Sequence, residues 1–324
     1  MTITAPAAAV PSPDTARQAF TALTGEPAEH VSRLPKGHGH LAWLVRSPTG
    51  TYLLKSGIRH ASASDLHREI TAQQIAAVGG VTVPSVVAAS ARDNPLGRPC
   101  YVQTWIEGRD ADTALPALTR PGRSAFAGRF GHTVAVLHTV TAPRFAEDCS
   151  ATRTYPSWQA ACHARLSRVT DANRAAALLP PRLLEDITSG LLLRIDALAD
   201  GIRPALTHRD LYLPNVIDRG TQVPAALIDF ESAAFYDPVW DFVKLGMWVF
   251  RRHPDLEQPF MSGYTAETPL PADFRQRLTL YQGIEYLAGI PYFGQAWPDP
   301  VMLASFRDLL GTWASEALPP PVAS

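Results

Sequence analysis

The sequence predicts an α+β protein of two lobes, a small β-rich amino-terminal lobe followed by a larger and mainly helical one. The chain has 324 residues, 46% of them hydrophobic, which is enough to bury a full core and to form about two domains. Short strand-like runs separated by Gly and Pro fill its first third. Helical patterns fill most of the remaining two thirds.

The chain opens with a segment rich in Ala and Pro, residues 1–18, which lacks the basic start and apolar run of a secretory signal. We expect this segment to be a disordered tail and residues 19–106 to form the first lobe. Short apolar runs bounded by Gly and Pro predict five strands in that lobe. The runs are HVSRLP, LAWLVRS, TYLLKSG, VPSVVAAS and PCYVQTWIEG.

One helix of about four turns is predicted between the third and fourth strands, in SASDLHREITAQQIAAV. Ser62 or Ser64 can provide the N-cap, and Asp65 suits the first turn. Leu66 and Ile70 are four residues apart and therefore share one helix face.

Residues 107–324 are predicted to form the helical lobe, after a short connection between Thr104 and Arg109. Its first helix carries an apolar stripe at helical spacing. The stripe consists of Phe126, Phe130, Val134 and Leu137. Two strand-like runs, PALTHRD and AALIDFES, interrupt the helices further along the chain.

Composition indicates a small ligand. The formal charge of −1, from 29 basic and 30 acidic residues, gives no reason to expect nucleic acid or an anionic membrane as a partner. No apolar run approaches the roughly 18 residues that a membrane span requires. Cys100, Cys149 and Cys162 are scattered singly, which favours reduced thiols in a cytoplasmic protein. We expect a monomer or a weak dimer.

The stretch THRDLYLPNVIDRG, residues 207–220, places Asp210 and Asn215 five positions apart on a loop. A capped turn is the ordinary interpretation of such a loop. Asp229, however, ends an apolar strand fourteen residues after Asn215, as a β-hairpin across one cleft would arrange. Two carboxylates and an amide suit Mg²⁺, which proteins hold with one or two carboxylates together with substrate phosphates. The sequence therefore predicts metal-assisted phosphoryl transfer.

Phosphoryl transfer also needs a cation for the nucleotide phosphates, and Lys55 in the strand TYLLKSG can supply it. A lysine in such a strand more often faces solvent. Glu69, on the following helix, can form the ion pair that orients Lys55. Gly37 and Gly39 lie in the loop LPKGHGHLAW, where a phosphate-covering turn belongs.

The order of strand Lys, helix Glu, HRDLYLPN and a strand ending in Asp resembles the protein-kinase-like fold. The sequence after the last strand is DFE rather than DFG, and YDPVWDFVKL soon follows. These features resemble the aminoglycoside phosphotransferase and choline kinase family, over roughly Val31 to the carboxyl terminus. The chain departs from the usual family pattern at Arg209, where Gly is common, and at Tyr212 and Leu213.

The resemblance implies a role for each motif residue. Asp210 corresponds to the catalytic base, and Asn215 and Asp229 to the Mg²⁺ ligands. Lys55 corresponds to the phosphate-binding lysine, while His208 and Asp241 correspond to residues that support the loop. The adenine is expected against the connection between the lobes, although a plain edge strand is an equal alternative for any one residue there. The candidates are Gln103, Thr104, Trp105 and Ile106, and either ATP or GTP fits.

The acceptor is expected against the helical lobe, whose last part is only mildly acidic and carries many aromatic residues. We predict an acceptor less cationic than an aminoglycoside, such as a nucleoside, a glycosylated antibiotic or a sugar-like metabolite. Phosphorylation of an antibiotic would confer resistance. The predicted acceptor contacts are Arg209, Tyr212, Glu231, Asp237 and Glu285. The alternatives are a kinase of another metabolite, such as an amino alcohol, a sugar or a lipopolysaccharide core, and a non-catalytic nucleotide-binding module.

Overall fold

The computed structural model of the protein describes residues 10–35, 40–57, 62–198, 201–220 and 223–318. In this part of the chain a five-stranded antiparallel sheet with two helices is followed by a larger, mainly helical region. The predicted fold class is confirmed. Gly37 and Gly39, the predicted phosphate-covering glycines, lie outside the described residues.

The first lobe is built on one antiparallel sheet with the strand order β1-β2-β3-β5-β4. Its strands are β1 His30–Leu34, β2 His40–Ser47, β3 Gly50–Gly57, β4 Val86–Ser90 and β5 Cys100–Thr104. All five correspond to strands predicted from the sequence. Central strand β3 lies between β2 and β5, and Lys55 pairs with Ala42 on one side and Tyr101 on the other.

Helix α1, Pro13–Thr24, precedes the sheet and corrects the predicted disordered tail over residues 13–18. Ser12 caps the helix and Pro13 takes the first helical position, where a missing N–H costs nothing. Phe20 is fully buried and its ring packs against Tyr52, with 5.4 Å between the ring centroids. Burial of this apolar face holds the segment on the sheet.

Helix α2, Ala63–Val78, is capped by Ser62, one of the two predicted N-cap residues. The Ser62 hydroxyl accepts the N–H of Asp65 at 3.2 Å, and the Asp65 carboxylate accepts the N–H of Ser62 at 2.9 Å. This reciprocal capping box fixes the start of the helix. The inward face of α2 carries Glu69, which is 1% exposed.

The larger lobe comes after a connection at residues 105–108 and is mainly helical. Its helices are α3 Ala111–Ala114, α4 Arg120–Thr139, α5 Trp158–Ala176, α6 Pro181–Ala197, α7 Asp241–Lys244, α8 Glu257–Thr265, α9 Phe274–Pro291 and α10 Pro300–Ala317. The predicted apolar stripe of α4 is buried along its whole length. Helices α4 and α8 pack with close backbones, since a Cβ at Gly131 would collide with the carbonyl oxygen of Phe260.

The described part of the larger lobe also contains short strands. The first is β6, Arg109–Asp110, and six more follow it along the chain. They are β7 Phe145–Ala146, β8 Thr154–Tyr155, β9 Ala205–Thr207, β10 Val216–Asp218, β11 Ala226–Leu227 and β12 Ala234–Tyr236. Strands β10 and β11 form the predicted hairpin, with Val216 opposite Leu227. The N–H of Ile228 donates to the carbonyl oxygen of Asn215 at 3.0 Å, which places Asn215 beside the residue that precedes Asp229.

The aromatic residues near the carboxyl terminus mostly pack in the core. Tyr264, Tyr281, Tyr286 and Trp313 are all buried. Tyr292, by contrast, is 51% exposed. None of the helices in the described ranges is both long and apolar enough to cross a membrane.

Candidate active site

The loop after β9 is held from below by Asp241, the first residue of α7. The Asp241 carboxylate accepts the N–H groups of His208 at 2.8 Å and Arg209 at 2.6 Å. His138 of α4 lies 3.0 Å from the same carboxylate through its Nε2. Burial alone would raise the pKa of Asp241, but the hydrogen bond and charge of His138 hold it below its usual value. Asp241 is therefore an ionised anchor for the loop backbone.

His208 connects this loop to the end of β11. It is fully buried, its Nε2 donates to the carbonyl oxygen of Ile228 at 3.0 Å, and its ring centroid lies 4.7 Å from that of Phe230. These contacts leave the side chain inside the protein. The histidine thus braces the two segments that carry Asp210 and Asp229.

Asp210 is fixed from two directions. The Nδ2 of Asn215 donates to its carboxylate at 3.1 Å and to its carbonyl oxygen at 3.0 Å. The Nζ of Lys244 donates to the other carboxylate oxygen at 2.6 Å. The side chain of Asp210 keeps 20% of its surface exposed. The carboxylate is therefore partly accessible while both of its oxygens are positioned by the protein.

Lys244 was not identified by the sequence reasoning. It lies three residues after Asp241 on α7, a spacing that places both side chains on the helix face below the loop. Burial disfavours its charged form, but the carboxylates of Asp210 and Glu285 outweigh burial and raise the pKa of Lys244. The lysine is a permanent cation beside Asp210.

Lys55 and Glu69 form the predicted ion pair, with 2.6 Å between Nζ and Oε1. Glu69 also accepts the hydroxyl of Tyr101 at 2.7 Å, and the Nε2 of His40 lies 3.3 Å from its second oxygen. Burial opposes both charges. Asp229 and Glu69 nevertheless raise the pKa of Lys55 well above its usual value, and Lys55 and His40 hold that of Glu69 well below its own.

Asp229 joins the two lobes, because its carboxylate accepts Lys55 Nζ at 3.1 Å. The side chain is 33% exposed, and Asp229 lies two residues after the end of β11. The φ angle of Asp229 is 70°, in the left-handed region that a non-glycine residue rarely adopts. Phe230 is 1% exposed and anchors the turn that imposes this conformation. The backbone strain thus turns a carboxylate toward the cleft.

The connection between the lobes offers fewer groups to a nucleotide base than the sequence suggested. The side chain of Gln103 is buried and accepts Nε2 of Gln73 at 3.1 Å. The N–H groups of Thr104 and Trp105 donate within the lobe, to the carbonyl oxygens of Ser85 and Thr51. These two N–H groups and the Gln103 side chain are therefore already paired, while contact of the base with other main-chain groups of residues 103–105 stays a prediction. Ile106 stays a candidate.

Asp237 does not face the acceptor side of the cleft. It is 1% exposed, and its carboxylate accepts the hydroxyl of Tyr281 at 2.5 Å and the N–H of Val239 at 3.1 Å. Arg277 lies 3.4 Å away. Asp237 supports the start of the turn before α7, so its prediction as an acceptor contact is wrong.

The other predicted acceptor residues lie around the cleft. Glu231 is 44% exposed, lies 3.6 Å from His40, and has a pKa raised by burial and by Asp229. Tyr212 packs on the core of the helical lobe, and burial raises its pKa to about 12. Partial burial and the charge of Glu231 raise the pKa of Tyr292.

Residues 30–276, more than half of the chain, match the phosphotransferase enzyme family designated APH. The chain belongs to this family. It is therefore a phosphotransferase that acts on small molecules, with a nucleotide as its donor. A comparison with curated protein sequences finds no significant match.

Solved structures show the same fold. A protein assigned as a fructosamine-3-kinase from Thermobifida fusca YX-ER1 is 23% identical, with 92% of this chain and 99% of that chain covered and a TM-score of 0.67. One assigned as an aminoglycoside phosphotransferase from Ralstonia eutropha JMP134 is 18% identical, with coverages of 95% and 99% and a TM-score of 0.69. A thermostable mutant of aminoglycoside phosphotransferase APH(4)-Ia, in complex with ADP and hygromycin B, is 13% identical, with coverages of 93% and 98% and a TM-score of 0.70.

The site of this APH-family protein fits a hard cation. Asn215 directs its amide nitrogen to Asp210, so its amide oxygen faces away from that residue. Asp229, two residues after the neighbouring hairpin strand β11, adds a carboxylate. His40, Asp229 and Glu231 also have ligand atoms within 4.8 Å of one another, and this group shares Asp229 with the same site. Oxygen donors of this kind, completed by phosphate and water, are the usual surroundings of Mg²⁺ in phosphoryl transfer.

Proposed function

We propose that this APH-family phosphotransferase transfers the γ-phosphoryl group of ATP or GTP to a hydroxyl of an antibiotic or of a sugar-like or nucleoside-like metabolite, with Mg²⁺ as cofactor. One observation carries the proposal. Lys55 from the first lobe contacts Asp229 at 3.1 Å, and the hairpin that ends at Asp229 begins beside Asn215, which in turn contacts Asp210 at 3.1 Å. These contacts support the proposal, because they bring a cation for the phosphates, two candidate Mg²⁺ ligands and a candidate base to one cleft.

The donor half of the reaction depends on Lys55. Its ammonium stays charged despite burial, so it can hold the nucleotide phosphates, while Glu69 keeps the side chain pointed across the cleft. Asn215 and Asp229 would hold Mg²⁺. When bound, Mg²⁺ neutralises charge on the β- and γ-phosphates.

The acceptor half depends on Asp210. Its exposed carboxylate edge accepts the proton of the acceptor hydroxyl as the new O–P bond forms and the bond between the γ-phosphorus and the β-γ bridging oxygen breaks. Asn215 and Lys244 hold the carboxylate in the orientation that this step requires. The nucleoside diphosphate leaves as the second product.

The test is incubation of the purified protein with γ-labelled ATP or GTP, Mg²⁺ and a pool of hydroxyl-bearing antibiotics, sugars and nucleosides. The expected result is label in a product whose mass exceeds that of one acceptor by one phosphoryl group. Nucleotide binding without hydrolysis or transfer to any acceptor would instead identify a non-catalytic nucleotide-binding module.

The proposal also includes a role in antibiotic resistance. Its support is that solved structures of the same fold include aminoglycoside phosphotransferases, one of them with hygromycin B bound. Expression in a susceptible host should raise the inhibitory concentration of the accepted antibiotic, and an Asp210→Asn variant should not. If the wild type and the Asp210→Asn variant protected the host equally, resistance would not depend on phosphoryl transfer.

A further inference from the structure

The acceptor side of the cleft contains an arginine in an unusual conformation. Arg209 precedes Asp210 directly and has a φ angle of 62°, in the left-handed region. For an L-residue other than Gly this conformation costs roughly 1 kcal/mol or more. Strain of this kind persists where the surroundings impose it and is concentrated at functional sites. The side chain at this position is therefore a candidate for a role of its own.

The guanidinium group of Arg209 lies over two buried aromatic rings. Its Cζ is 5.0 Å from the ring centroid of Trp240 and 5.7 Å from that of Tyr236. These rings support the charge without supplying a hydrogen-bond acceptor. Its Nε is buried and has no hydrogen-bond partner among the described residues. The structure thus positions this guanidinium and leaves its Nε donor unused.

Arg165, on α5, repeats the pattern next to Arg209. Its Nε is also buried without a hydrogen-bond partner in the described ranges. Its ion pair with Glu285 spans 4.0 Å, too long for a hydrogen bond. Burial lowers the pKa of Arg165, and the neighbouring charge of Arg209 lowers it further. Two guanidinium groups therefore lie close enough to repel each other.

The nearby carboxylates are held elsewhere. Glu147 pairs with Arg168 and accepts the hydroxyl of Tyr155. Asp210 is taken by Lys244, whose pKa also responds to Glu285. Glu285 thus pairs at 4.0 Å with Arg165 and also contributes to the charge environment of Lys244. The protein supplies too little negative charge for the cluster.

We propose that the acceptor carries an oxyanion group, a carboxylate or a phosphate or sulfate ester, which Arg165 and Arg209 bind while the acceptor hydroxyl faces Asp210. Because Arg209 and Asp210 are consecutive, the oxyanion and the hydroxyl belong to one small molecule. Guanidinium groups form charge-assisted, paired hydrogen bonds with such oxyanions. This inference rests on the proposed phosphotransfer and specifies its substrate class.

The first experiment measures sulfate binding by calorimetry in the presence of saturating ADP and Mg²⁺, which occupy the nucleotide phosphate site. The wild-type protein should bind sulfate, and Arg165→Gln should weaken that binding by about tenfold or more, the effect of losing a charge-assisted hydrogen bond. Arg165→Lys keeps the charge and should weaken it less. The matched control is Arg174→Gln, on the same helix, because Arg174 is exposed and already paired with Asp171.

The second experiment compares phosphoryl transfer to glucose, glucosamine and glucuronate, which share one ring and differ in the charge of one group. We expect the highest kcat/KM for glucuronate, and we expect Arg165→Gln to remove that preference by raising KM. ADP affinity should be the same in the wild type, Arg165→Gln and Arg165→Lys. An unchanged value would show that the fold and the nucleotide site are intact.

Three outcomes would overturn the inference. They are the absence of sulfate binding by the wild-type protein, equal sulfate affinity in the wild type and Arg165→Gln, and a preference for glucose or glucosamine. Any of these alongside normal nucleotide binding and transfer leaves the proposed function in place. Failure of nucleotide binding, or transfer that survives Asp210→Asn, would instead reject the proposed function.

Discussion

The proposed nucleotide side of the cleft has its charges paired within the protein, whereas the proposed acceptor side leaves two guanidinium groups without a carboxylate at hydrogen-bonding distance among the described residues. Lys55 contacts both Glu69 and Asp229, and Glu69 has Tyr101 as a further donor. Arg165 and Arg209 instead each keep a buried Nε without a partner in the described part of the chain.

This difference corresponds to the two substrates, since the nucleotide donor is common to many enzymes and the acceptor is specific to each. Any nucleoside triphosphate presents the same phosphates, so the protein can complete that network before the ligand arrives, and preorganisation lowers the cost of binding. An acceptor differs from one enzyme to another. Unused donors on its side of the cleft are satisfied by the correct ligand and penalise a wrong one, which is a strong source of discrimination.

The largest effect is expected where the two sides meet, at Asp210. Asp210→Asn keeps the shape but cannot accept the hydroxyl proton, so kcat should fall by about 10³-fold, the range of general base catalysis. Single-turnover kinetics with labelled nucleotide measure this loss. Nucleotide affinity should persist, because the Lys55 network does not include Asp210. Full turnover by the variant would contradict the role of Asp210 as base.

The next effect tests whether the nucleotide side is a closed network. Lys55→Met should lower transfer by roughly 10²-fold, as expected for loss of one preorganised electrostatic contact. It should also lower the free energy of unfolding by about 3 kcal/mol, because it leaves Glu69 buried without its main counter-charge. Urea unfolding measures the second effect.

The matched control for that variant is the double variant Lys55→Met with Glu69→Gln. Removing both charges should recover most of the lost stability but none of the activity. If the double variant is as unstable as Lys55→Met alone, the ion pair is not the source of the stability change.

A smaller effect is expected from Lys244→Met, which removes the cation that holds Asp210. Loss of this positioning contact should lower kcat by roughly 10-fold to 100-fold with little change in nucleotide affinity. Because the pKa of Lys244 is raised, its pairing energy is fully present below the unfolded value of about 10.4 and is lost only at higher pH. The stability difference between wild type and variant should therefore be constant from neutral pH to about 10. A difference that disappears near pH 8 would contradict the ion pair.

Most of the fold and of the nucleotide side could be predicted from the sequence, because their signals are local. Strand alternation, Gly and Pro boundaries and the capping residue Ser62 determine the first lobe. Lys55 and Glu69 occur on consecutive elements, and Asp210, Asn215 and Asp229 occur within one loop and one hairpin. Local order along the chain was thus enough to place them in one cleft.

The proposed acceptor side could be predicted only in part. Arg209 and Glu285 were among the predicted acceptor residues, but Arg165 was not, because its place depends on packing between distant helices. Arg165 and Glu285 are 120 positions apart and meet only because α5 packs against α9. Lys244 lies three residues after Asp241, and this spacing was the one local signal that could have identified it. The prediction of Asp237 as an acceptor contact was wrong for a different reason. Asp237 lies in a functional motif, but its buried carboxylate pairs with Tyr281 and Arg277.

The smallest effect concerns backbone strain at Arg209, which the acceptor side shares with Asp229 on the nucleotide side, where φ is 70°. Arg209→Ala and Arg209→Gly both remove the guanidinium group, so their difference reports the strain of the left-handed conformation less the larger backbone entropy of Gly in the unfolded state. Only glycine adopts that conformation without strain, and the glycine variant should be more stable than the alanine variant by about 1 kcal/mol. Urea midpoints at equal m-values measure the difference. Equal stability of the two variants would mean that the loop relaxes when the side chain is lost. The contacts of the Arg209 side chain would then be the cause of the strained backbone.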